Sequence, residues 1–272
     1  MIKFGFCCNI EDAKKFSGDG FDYFEASVGN ALIPDRDDEA WEAQKHLLSE
    51  IELPLYACNG FLPGTMRLTG PNANHNPALD YAERACRRAD EIGCRYIVLG
   101  SGGARNIPGD FLDPAKKPDI EGGYAQFTEF CRTLAKRIAD CRVTVVLEPL
   151  RPNESNLLNY VWQGMQIVND IDSPRIEVLA DIFHMMQGRE SAASIVAAGQ
   201  HIKHCHVAMS GTRTWPGYAP AFELAPYFEA LDKIGYSGGI SCECGWPLHE
   251  GQTIFDAHRE AVATMRNLAS RP

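Results

Sequence analysis

The sequence lacks the features that identify membrane proteins and nucleic-acid-binding proteins. No apolar stretch approaches the roughly 20 residues that a membrane-spanning helix needs. Runs of Lys and Arg do not exceed a pair, and 36 acidic residues outnumber 26 basic ones, for a formal net charge of −10. Because an acidic chain repels phosphate backbones, we expect neither a membrane nor a nucleic acid as a partner.

The sequence also lacks a secretory signal and any paired cysteine motif. The N-terminal MIKFGFCCN enters a strand-like pattern at once, without a basic start, a long apolar run or a cleavage site. We therefore expect a cytoplasmic protein. Ten cysteines are present, but neither a CxxC pair nor zinc-ribbon spacing occurs among them. We expect free thiols that pack as small hydrophobic side chains.

What is present is an ordinary globular composition in a regular alternation. Short runs rich in Val, Ile, Tyr, Phe and Cys are separated by amphipathic stretches with apolar residues at i, i+3 and i+4 spacing. Such alternation predicts a parallel sheet with right-handed crossovers. Eight repeats in 272 residues predict one (β/α)8 TIM barrel domain over residues 1–272. The predicted strands are 2–7, 22–28, 54–59, 95–100, 142–149, 176–183, 202–209 and 238–245.

A doubly wound sheet is the alternative architecture, but no GxGxxG or GxxxxGK[ST] phosphate loop supports it. Gly93 and Gly235 follow predicted helices at the position of a left-handed C-terminal cap. The longest irregular stretches, 59–77 and 101–122, each follow a strand, so both belong on the C-terminal face, where barrel enzymes place their sites. Clear helical patterns cover 41–51, 79–92, 124–138, 222–234 and 254–269.

Metal-ligating side chains stand at the C-terminal ends of four adjacent predicted strands. VVLEPL supplies Glu148, LADIFHM supplies Asp181, HCHVA supplies His206 and SCECGW supplies Glu243. An acid in an apolar strand is costly to bury unless it is paired or binds a metal. Since three converging carboxylates repel one another without a cation, we predict a metal centre built from these four residues.

Three oxygen ligands and one imidazole suit a hard to borderline divalent ion. Mn²⁺ is the preferred choice, with Mg²⁺, Co²⁺ or Zn²⁺ as alternatives. Read singly, Glu148 could be a salt-bridged core acid, Asp181 a turn cap and His206 a satisfied core histidine. Glu25 in strand 2 either contacts substrate or forms a core ion pair, and His204 is interpreted as structural.

The segments LEPLRPNESNLLN, LADIFHM and HCHVA, with the strand-8 Glu, resemble the sugar-phosphate isomerase/epimerase superfamily, the xylose isomerase-like barrels. Within it the chain is most similar to D-tagatose 3-epimerase type ketose epimerases and to hydroxypyruvate isomerase-like proteins. The resemblance implies a divalent metal held by Glu148, Asp181, His206 and Glu243, catalysis by Glu148 and Glu243, and a homodimer or homotetramer.

The same resemblance assigns substrate contacts to His184, Glu154 and Arg213. His184 matches a histidine that contacts substrate hydroxyls in the family. The pattern departs at Arg213, because tagatose-type epimerases place this arginine one residue nearer to the strand-7 histidine. They also carry an acid where this chain has Met209. The departure leaves the identity of the sugar open.

Two Gly-rich segments of the first half, NGFLPGTMRLTG (59–70) and GSGGARNIPGDF (100–111), also look like members of this superfamily. Asn59 and Arg105 within them are candidate substrate contacts. The alternative is that these segments only supply the left-handed turns that barrel loops need.

The predicted chemistry is proton exchange next to a ketone in a sugar substrate. A divalent metal stabilises the enediolate as a Lewis acid, and a carboxylate removes the proton as general base. Glu148 and Glu243, from strands 5 and 8, suit proton exchange on two faces. This favours epimerisation of a ketose or keto-sugar derivative. Return of the proton to the neighbouring carbon would give aldose–ketose isomerisation instead.

Three other functions compete with this interpretation. A lyase or dehydratase acting on a keto-sugar or keto-inositol would use the same metal site and expel a leaving group. A DNA-repair enzyme of the endonuclease IV type needs further His and acidic ligands and a basic face, which a net charge of −10 opposes. A binding barrel would retain the metal site without turnover.

Overall fold

The computed structural model describes residues 1–16, 18–110 and 112–270. The last residue of the segment 100–111 and the last two of the predicted domain 1–272 lie outside the described residues. Eight parallel strands pair in sequence order, and the last pairs with the first to close a barrel, which confirms the predicted fold class. The strands are β1 Lys3–Cys7, β2 Tyr23–Ser27, β3 Leu55–Asn59, β4 Tyr96–Leu99, β5 Thr144–Leu147, β6 Ile176–Asp181, β7 Ile202–Val207 and β8 Gly239–Cys242.

Each observed strand lies within its predicted run, and β5 and β8 each end just before a residue predicted as a metal ligand. Glu148 and Glu243 therefore follow their strands instead of lying inside them. Their backbone N–H groups still bond the neighbouring strands, to Leu99 O at 3.3 Å and Val207 O at 3.2 Å. Pro149 has no N–H to continue the ladder beyond Glu148. Both carboxylates thus stand just above the rim of the barrel.

Eleven α-helices lie among the described residues, more than the eight predicted, because short helices also follow β2, β4 and β6. Gly93 and Gly235 have φ of +77° and +63°, which confirms the predicted left-handed caps. The helices are α1 Ile10–Lys15, α2 Val28–Ala31, α3 Asp38–Ser49, α4 His75–Glu91, α5 Gly102–Arg105, α6 Ile120–Arg137, α7 Val161–Ile171, α8 Ile182–Gln187, α9 Ala193–Ala198, α10 Ala225–Lys233 and α11 Ile254–Ala269; 3₁₀-helices cover Pro114–Lys116, Gly199–His201 and Ala221–Leu224.

Helix α11 shows how the sequence specifies one of these elements. Thr253 and Asp256 form a capping box, in which Thr253 Oγ1 accepts from Asp256 N at 3.2 Å and Asp256 Oδ2 accepts from Thr253 N at 3.0 Å. The buried stripe Ala257, Ala261, Met265 and Leu268 then follows helical spacing and packs against the barrel.

Aromatic rings fill the interior of the barrel below the C-terminal rim. The rings of Tyr23 and Tyr56 lie 4.7 Å apart, and His204 stacks on Tyr96 with centroids 5.6 Å apart. Gly5 makes room for this packing, since a Cβ there would lie 2.1 Å from Tyr23 Cε2. The interior is therefore a packed floor on which the residues at the rim rest.

The cysteines and the helices agree with two of the absences noted in the sequence. All ten cysteines are free thiols, and seven of them are buried, as predicted. None of the helices that the structure describes combines the length and apolar character that crossing a bilayer requires.

Gly5→Ala is expected to destabilise the fold by about 1–3 kcal/mol, because the added methyl group would overlap the buried Tyr23 ring. Urea unfolding measures the change. Gly29→Ala is the control, since no atom approaches its Cβ position and Ala favours its helix. Equal stability of Gly5→Ala and the wild type would contradict this view of the barrel interior.

Candidate metal centre

The four residues predicted as metal ligands meet at the C-terminal end of the barrel. Glu148 follows β5, Asp181 ends β6, His206 lies in β7 and Glu243 follows β8. One donor atom of each lies within 4.8 Å of the others. The side chains of Glu148, Asp181 and His206 are buried, and that of Glu243 is partly exposed. The cluster has the size of a single-ion site that is open on one side.

His206 Nδ1 is the common point of this cluster. It lies 3.1 Å from Glu148 Oε1, 3.5 Å from Glu243 Oε2 and 3.8 Å from Asp181 Oδ2. Nδ1 is therefore the ring nitrogen that faces the three carboxylates.

Glu148 fits beside β4 only because residue 100 is a glycine. A Cβ at Gly100 would lie 2.1 Å from Glu148 Oε2. The backbone of Glu148 is fixed as well, since its carbonyl accepts from Arg105 Nη2 at 2.9 Å. A small residue on one strand end thus leaves the space in which the carboxylate of the next strand stands.

Asp181 combines the two roles that its sequence position suggested. Its Oδ1 accepts from the backbone N–H of His184 at 3.0 Å and caps α8. Its Oδ2 faces the cluster, 3.8 Å from His206 Nδ1. The hydrogen bond to His184 N–H orients the Asp181 carboxylate, and Oδ2 remains available to the cluster.

The electrostatics of the cluster favour a bound cation. Burial raises the pKa of Glu148, and it raises the pKa of Asp181 to about 6 despite the nearby His206. Burial also disfavours charge on Glu243, but His206 and Arg213 outweigh it and lower the pKa of that carboxyl. The donor set of three carboxylates and one imidazole fits a hard to borderline divalent ion, which would neutralise this charge.

His184 presents an unpaired donor beside the cluster. Its Nδ1 accepts from the backbone N–H of Arg151 at 3.3 Å, so in the neutral ring the proton sits on Nε2. Burial lowers the pKa of His184, which favours that neutral form. Nε2 is buried without a hydrogen-bond partner among the described residues, 3.6 Å from Asp181 Oδ2 and 3.8 Å from Glu154 Oε2. A buried N–H of this kind is a site for a ligand oxygen.

Arg213 and Glu154 border the same space, as their matched positions suggest. Arg213 Nη2 donates to Glu243 Oε2 at 2.5 Å, and its Nη1 lies 3.5 Å from Glu154 Oε1. The guanidinium lies 4.7 Å above the ring of Phe183. Arg213 has φ of +51°, so its backbone is held in the left-handed region.

Arg151 is a charged neighbour of the site that the sequence analysis missed. Its Nε donates to Glu154 Oε1 at 2.7 Å, and its guanidinium lies 5.1 Å above Phe183. Two arginines therefore share one carboxylate and one aromatic ring. The segment LEPLRP, which already supplied Glu148, contained the signal, because a base three residues beyond a strand-end acid stays on the same rim.

The remaining three predicted substrate contacts occupy different depths. Asn59 Nδ2 donates to Glu243 Oε1 at 3.4 Å and to Cys7 Sγ at 3.5 Å, so Asn59 lies beside the cluster. Arg105 is fully buried and bonds backbone carbonyls, including that of Leu99 at 3.0 Å. Burial lowers the pKa of Arg105 to about 10. This placement favours a structural role for Arg105 over contact with substrate.

Glu25 lies below the cluster, within the barrel. Its side chain is fully buried, and its two oxygens face the imidazoles of His204 and His206. Burial opposes ionisation, but these imidazoles outweigh it and hold the pKa of Glu25 below its usual range. Of the two alternatives that the sequence left open, this placement favours the core ion pair.

Comparison with known proteins agrees with the observed fold. A family model described as the xylose isomerase-like TIM barrel matches residues 11–268. The chain is similar to the D-psicose 3-epimerase of Ruminiclostridium cellulolyticum, with 31% identity over 134 residues, 48% of this chain and 45% of that protein. It is also similar to the L-ribulose 3-epimerase of Methylomonas sp., with 26% identity over 229 residues, 82% of this chain and 74% of that protein.

These alignments are partial for several relatives. The matched region spans about half the length of the D-psicose 3-epimerase, and 55% of a probable ketose 3-epimerase from Synechocystis sp.. Among solved structures, the 3-keto-D-glucoside 4-epimerase of E. coli superimposes with a TM-score of 0.79 at 20% identity, over 98% of this chain and 100% of the other. At that identity the likeness shows the shared barrel fold.

Gly100→Ala is expected to weaken Mn²⁺ binding at least tenfold, because the added Cβ would displace the Glu148 carboxylate. Isothermal titration with Mn²⁺ measures the affinity. Gly211→Ala is the control, since nothing lies near its Cβ position. Unchanged affinity in Gly100→Ala would show that Glu148 does not bind the ion in the observed position.

Proposed function

The chain belongs to the xylose isomerase-like TIM barrel family, and we propose that it is a divalent-metal-dependent epimerase of a ketose or keto-sugar derivative. One observation carries the proposal: the carboxylates of Glu148 and Glu243, which follow β5 and β8, converge on one point. Their oxygens lie 3.1 and 3.5 Å from His206 Nδ1. The relatives described above support the reaction class, since their names describe sugar epimerases.

Glu148, Asp181, His206 and Glu243 would hold the ion, for which we propose Mn²⁺. When bound, a divalent ion supplies Lewis acidity that lowers the pKa of a C–H next to a carbonyl group. The partly exposed side of Glu243 leaves the space from which a substrate approaches.

Epimerisation requires a proton to leave one face of a carbon and another to arrive on the opposite face. Glu148 and Glu243 approach the cluster from strands separated by β6 and β7. One carboxylate removes the proton as general base, and the other, when protonated, donates a proton from the second face. Arg213 Nη2, at 2.5 Å from Glu243 Oε2, orients the Glu243 carboxylate for this transfer.

The surrounding polar groups orient the substrate oxygens. His184 donates its free Nε2–H to a substrate oxygen, because its Nδ1 is already occupied by Arg151 N–H. Glu154 accepts from substrate hydroxyls, and its position is set by Arg151 and Arg213. Met209 is an uncharged, nearly fully buried side chain at the position where the tagatose-type pattern has an acid. We therefore propose a sugar that makes fewer polar contacts on the β7 side.

Proton exchange in D₂O tests the function directly. The Mn²⁺-loaded protein is incubated with a panel of ketoses and keto-sugars, and the C–H signals are followed by NMR. We expect deuterium at a carbon beside the carbonyl, together with a new epimer whose structure names the position. Removal of the metal by a chelator is expected to abolish exchange, and Glu243→Gln to slow it about 10²- to 10⁴-fold.

Glu190→Gln provides the matched control for that experiment. Glu190 is a buried acid outside the cluster, where it accepts from Val161 N–H at 3.0 Å, so its variant should exchange at the wild-type rate. Loss of a leaving group in place of epimer formation would assign the lyase or dehydratase alternative. Absence of exchange on every sugar, with metal bound, would contradict epimerisation and isomerisation alike.

His184→Ala separates substrate binding from metal binding. We expect kcat/KM to fall about 10- to 100-fold, because a hydrogen bond to a substrate oxygen is lost. The backbone N–H that caps Asp181 is retained, so the Mn²⁺ dissociation constant should change by less than about threefold. Steady-state kinetics and titration with Mn²⁺ measure both values. An equal loss of kcat/KM and of Mn²⁺ affinity would contradict the substrate-contact role of His184.

A further inference from the structure

We propose that Glu25 is a positioning residue, whose carboxylate binds the Nε2–H of His206 and so presents Nδ1 of that ring to the metal. The inference rests on the proposed function, because it assumes that the four-residue cluster binds an ion. It concerns a residue below the cluster that none of the steps above uses.

The contacts of Glu25 place its carboxylate below His206, and the side chain is fully buried. Its Oε1 lies 2.9 Å from His206 Nε2. Its Oε2 lies 2.8 Å from His204 Nε2 and accepts from Ser241 Oγ at 2.7 Å. The hydroxyl of Tyr23 lies 3.0 Å from the same Ser241 Oγ. Both oxygens are therefore engaged by the barrel interior, and neither is free for a substrate.

In a His206 ring that binds a metal, these contacts favour Nδ1 as the ligand atom. A neutral imidazole carries one N–H and one lone pair, and an ionised carboxylate can only accept. With Glu25 at Nε2, the proton of the metal-binding ring must be on Nε2, so the lone pair is on Nδ1. Nδ1 is the atom that lies 3.1 Å from Glu148 Oε1. In the other tautomer, an N–H would point at the metal position.

The orientation of Glu25 is itself fixed. His204 stacks on Tyr96, and its distance to His206 is 5.3 Å between ring centroids. Ser241 lies on β8, which is separated from β2 by β1 in the closed barrel. Groups from β7 and β8 thus converge on one carboxylate of β2, which leaves it a single position relative to His206. Hydrogen bonds of this kind orient metal-binding histidines in other proteins.

Cys7, Glu25 and His206 also lie close enough together to suggest a separate ion site. That site would need the lone pair of His206 Nε2, where the Glu25 carboxylate lies at hydrogen-bond distance. Ions on both nitrogens would require an imidazolate ring. The hydrogen-bonded arrangement therefore favours one ion at Nδ1 and a positioning role for Glu25.

Metal affinity tests the proposal independently of turnover. We expect Glu25→Gln to weaken Mn²⁺ binding about 10- to 100-fold, measured by electron paramagnetic resonance of free Mn²⁺. Asp19→Asn is the matched control. Asp19 Oδ2 lies 2.7 Å from Nδ1 of His258, a residue of α11. This buried pair is also a carboxylate beside an imidazole, like Glu25 and His206, but it lies away from the cluster. Its variant should bind Mn²⁺ within about twofold of wild type.

A second measurement needs no substitution at Glu25. In the Co²⁺-loaded wild type, the Nε2–H of His206 should give one strongly shifted proton signal that disappears in D₂O. Ser241→Ala removes one hydrogen bond to Glu25, so in that variant the Nε2–H of His206 should exchange faster with solvent. Absence of the signal in the Co²⁺-loaded wild type would overturn the proposal, even if Glu25→Gln fails to fold.

The outcomes separate this inference from the proposed function. Equal Mn²⁺ affinity in wild type and Glu25→Gln would overturn the positioning role and leave the proposed epimerase intact. A wild type that binds neither Mn²⁺ nor Co²⁺ would overturn both. Weaker binding in Glu25→Gln, with normal binding in Asp19→Asn, supports the inference.

Discussion

The structure depends on the crowding of three carboxylates around one imidazole at the C-terminal end of a closed barrel. Like charges at this distance are unfavourable, and burial adds to the penalty, as the raised pKa values of Glu148 and Asp181 show. A fold accepts such a penalty where a cation offsets it. Burial also disfavours charge on His206, but Glu25 and Glu243 outweigh it and hold the pKa of that ring well above its usual range. The cluster is thus arranged for positive charge at its centre.

The barrel supports this arrangement with residues that lie outside the four-residue cluster. Gly100 leaves the space that Glu148 fills, and Arg105 holds the carbonyl groups at the ends of β4 and β5. Gly5 admits the Tyr23 ring, which in turn reaches Ser241. Each of these is a short-range packing requirement. Together they transmit the rigidity of the closed sheet to side chains that must stay within a few ångströms of one another.

The fold and the four clustered residues could be predicted from the sequence because both follow from regular spacing. Alternating strands and helices imply a barrel, and a barrel brings every strand end to one rim. The depth of a side chain below that rim does not follow from spacing. Spacing therefore leaves Arg105 and Glu25 open between contact with substrate and a structural role, and the structure buries both. The segment of Arg151 places this residue at the rim, but it does not show that the ring of Phe183, from another strand end, lies beneath it.

The same distinction separates the chemistry of the site from its specificity. Glu148 and His206 are attached to strands whose registers are fixed by the closed sheet, so their geometry tolerates little change. Arg213 belongs to a connection after β7 and has a left-handed backbone; its N–H donates to Met209 O at 3.0 Å, and its carbonyl accepts from Gly245 N at 2.8 Å. Moving this arginine by one residue, relative to the tagatose-type pattern, alters what lies above Phe183 without disturbing the strands. In the function proposed above, a barrel of this kind would change its sugar through its loops while Glu148 and Glu243 stay in place.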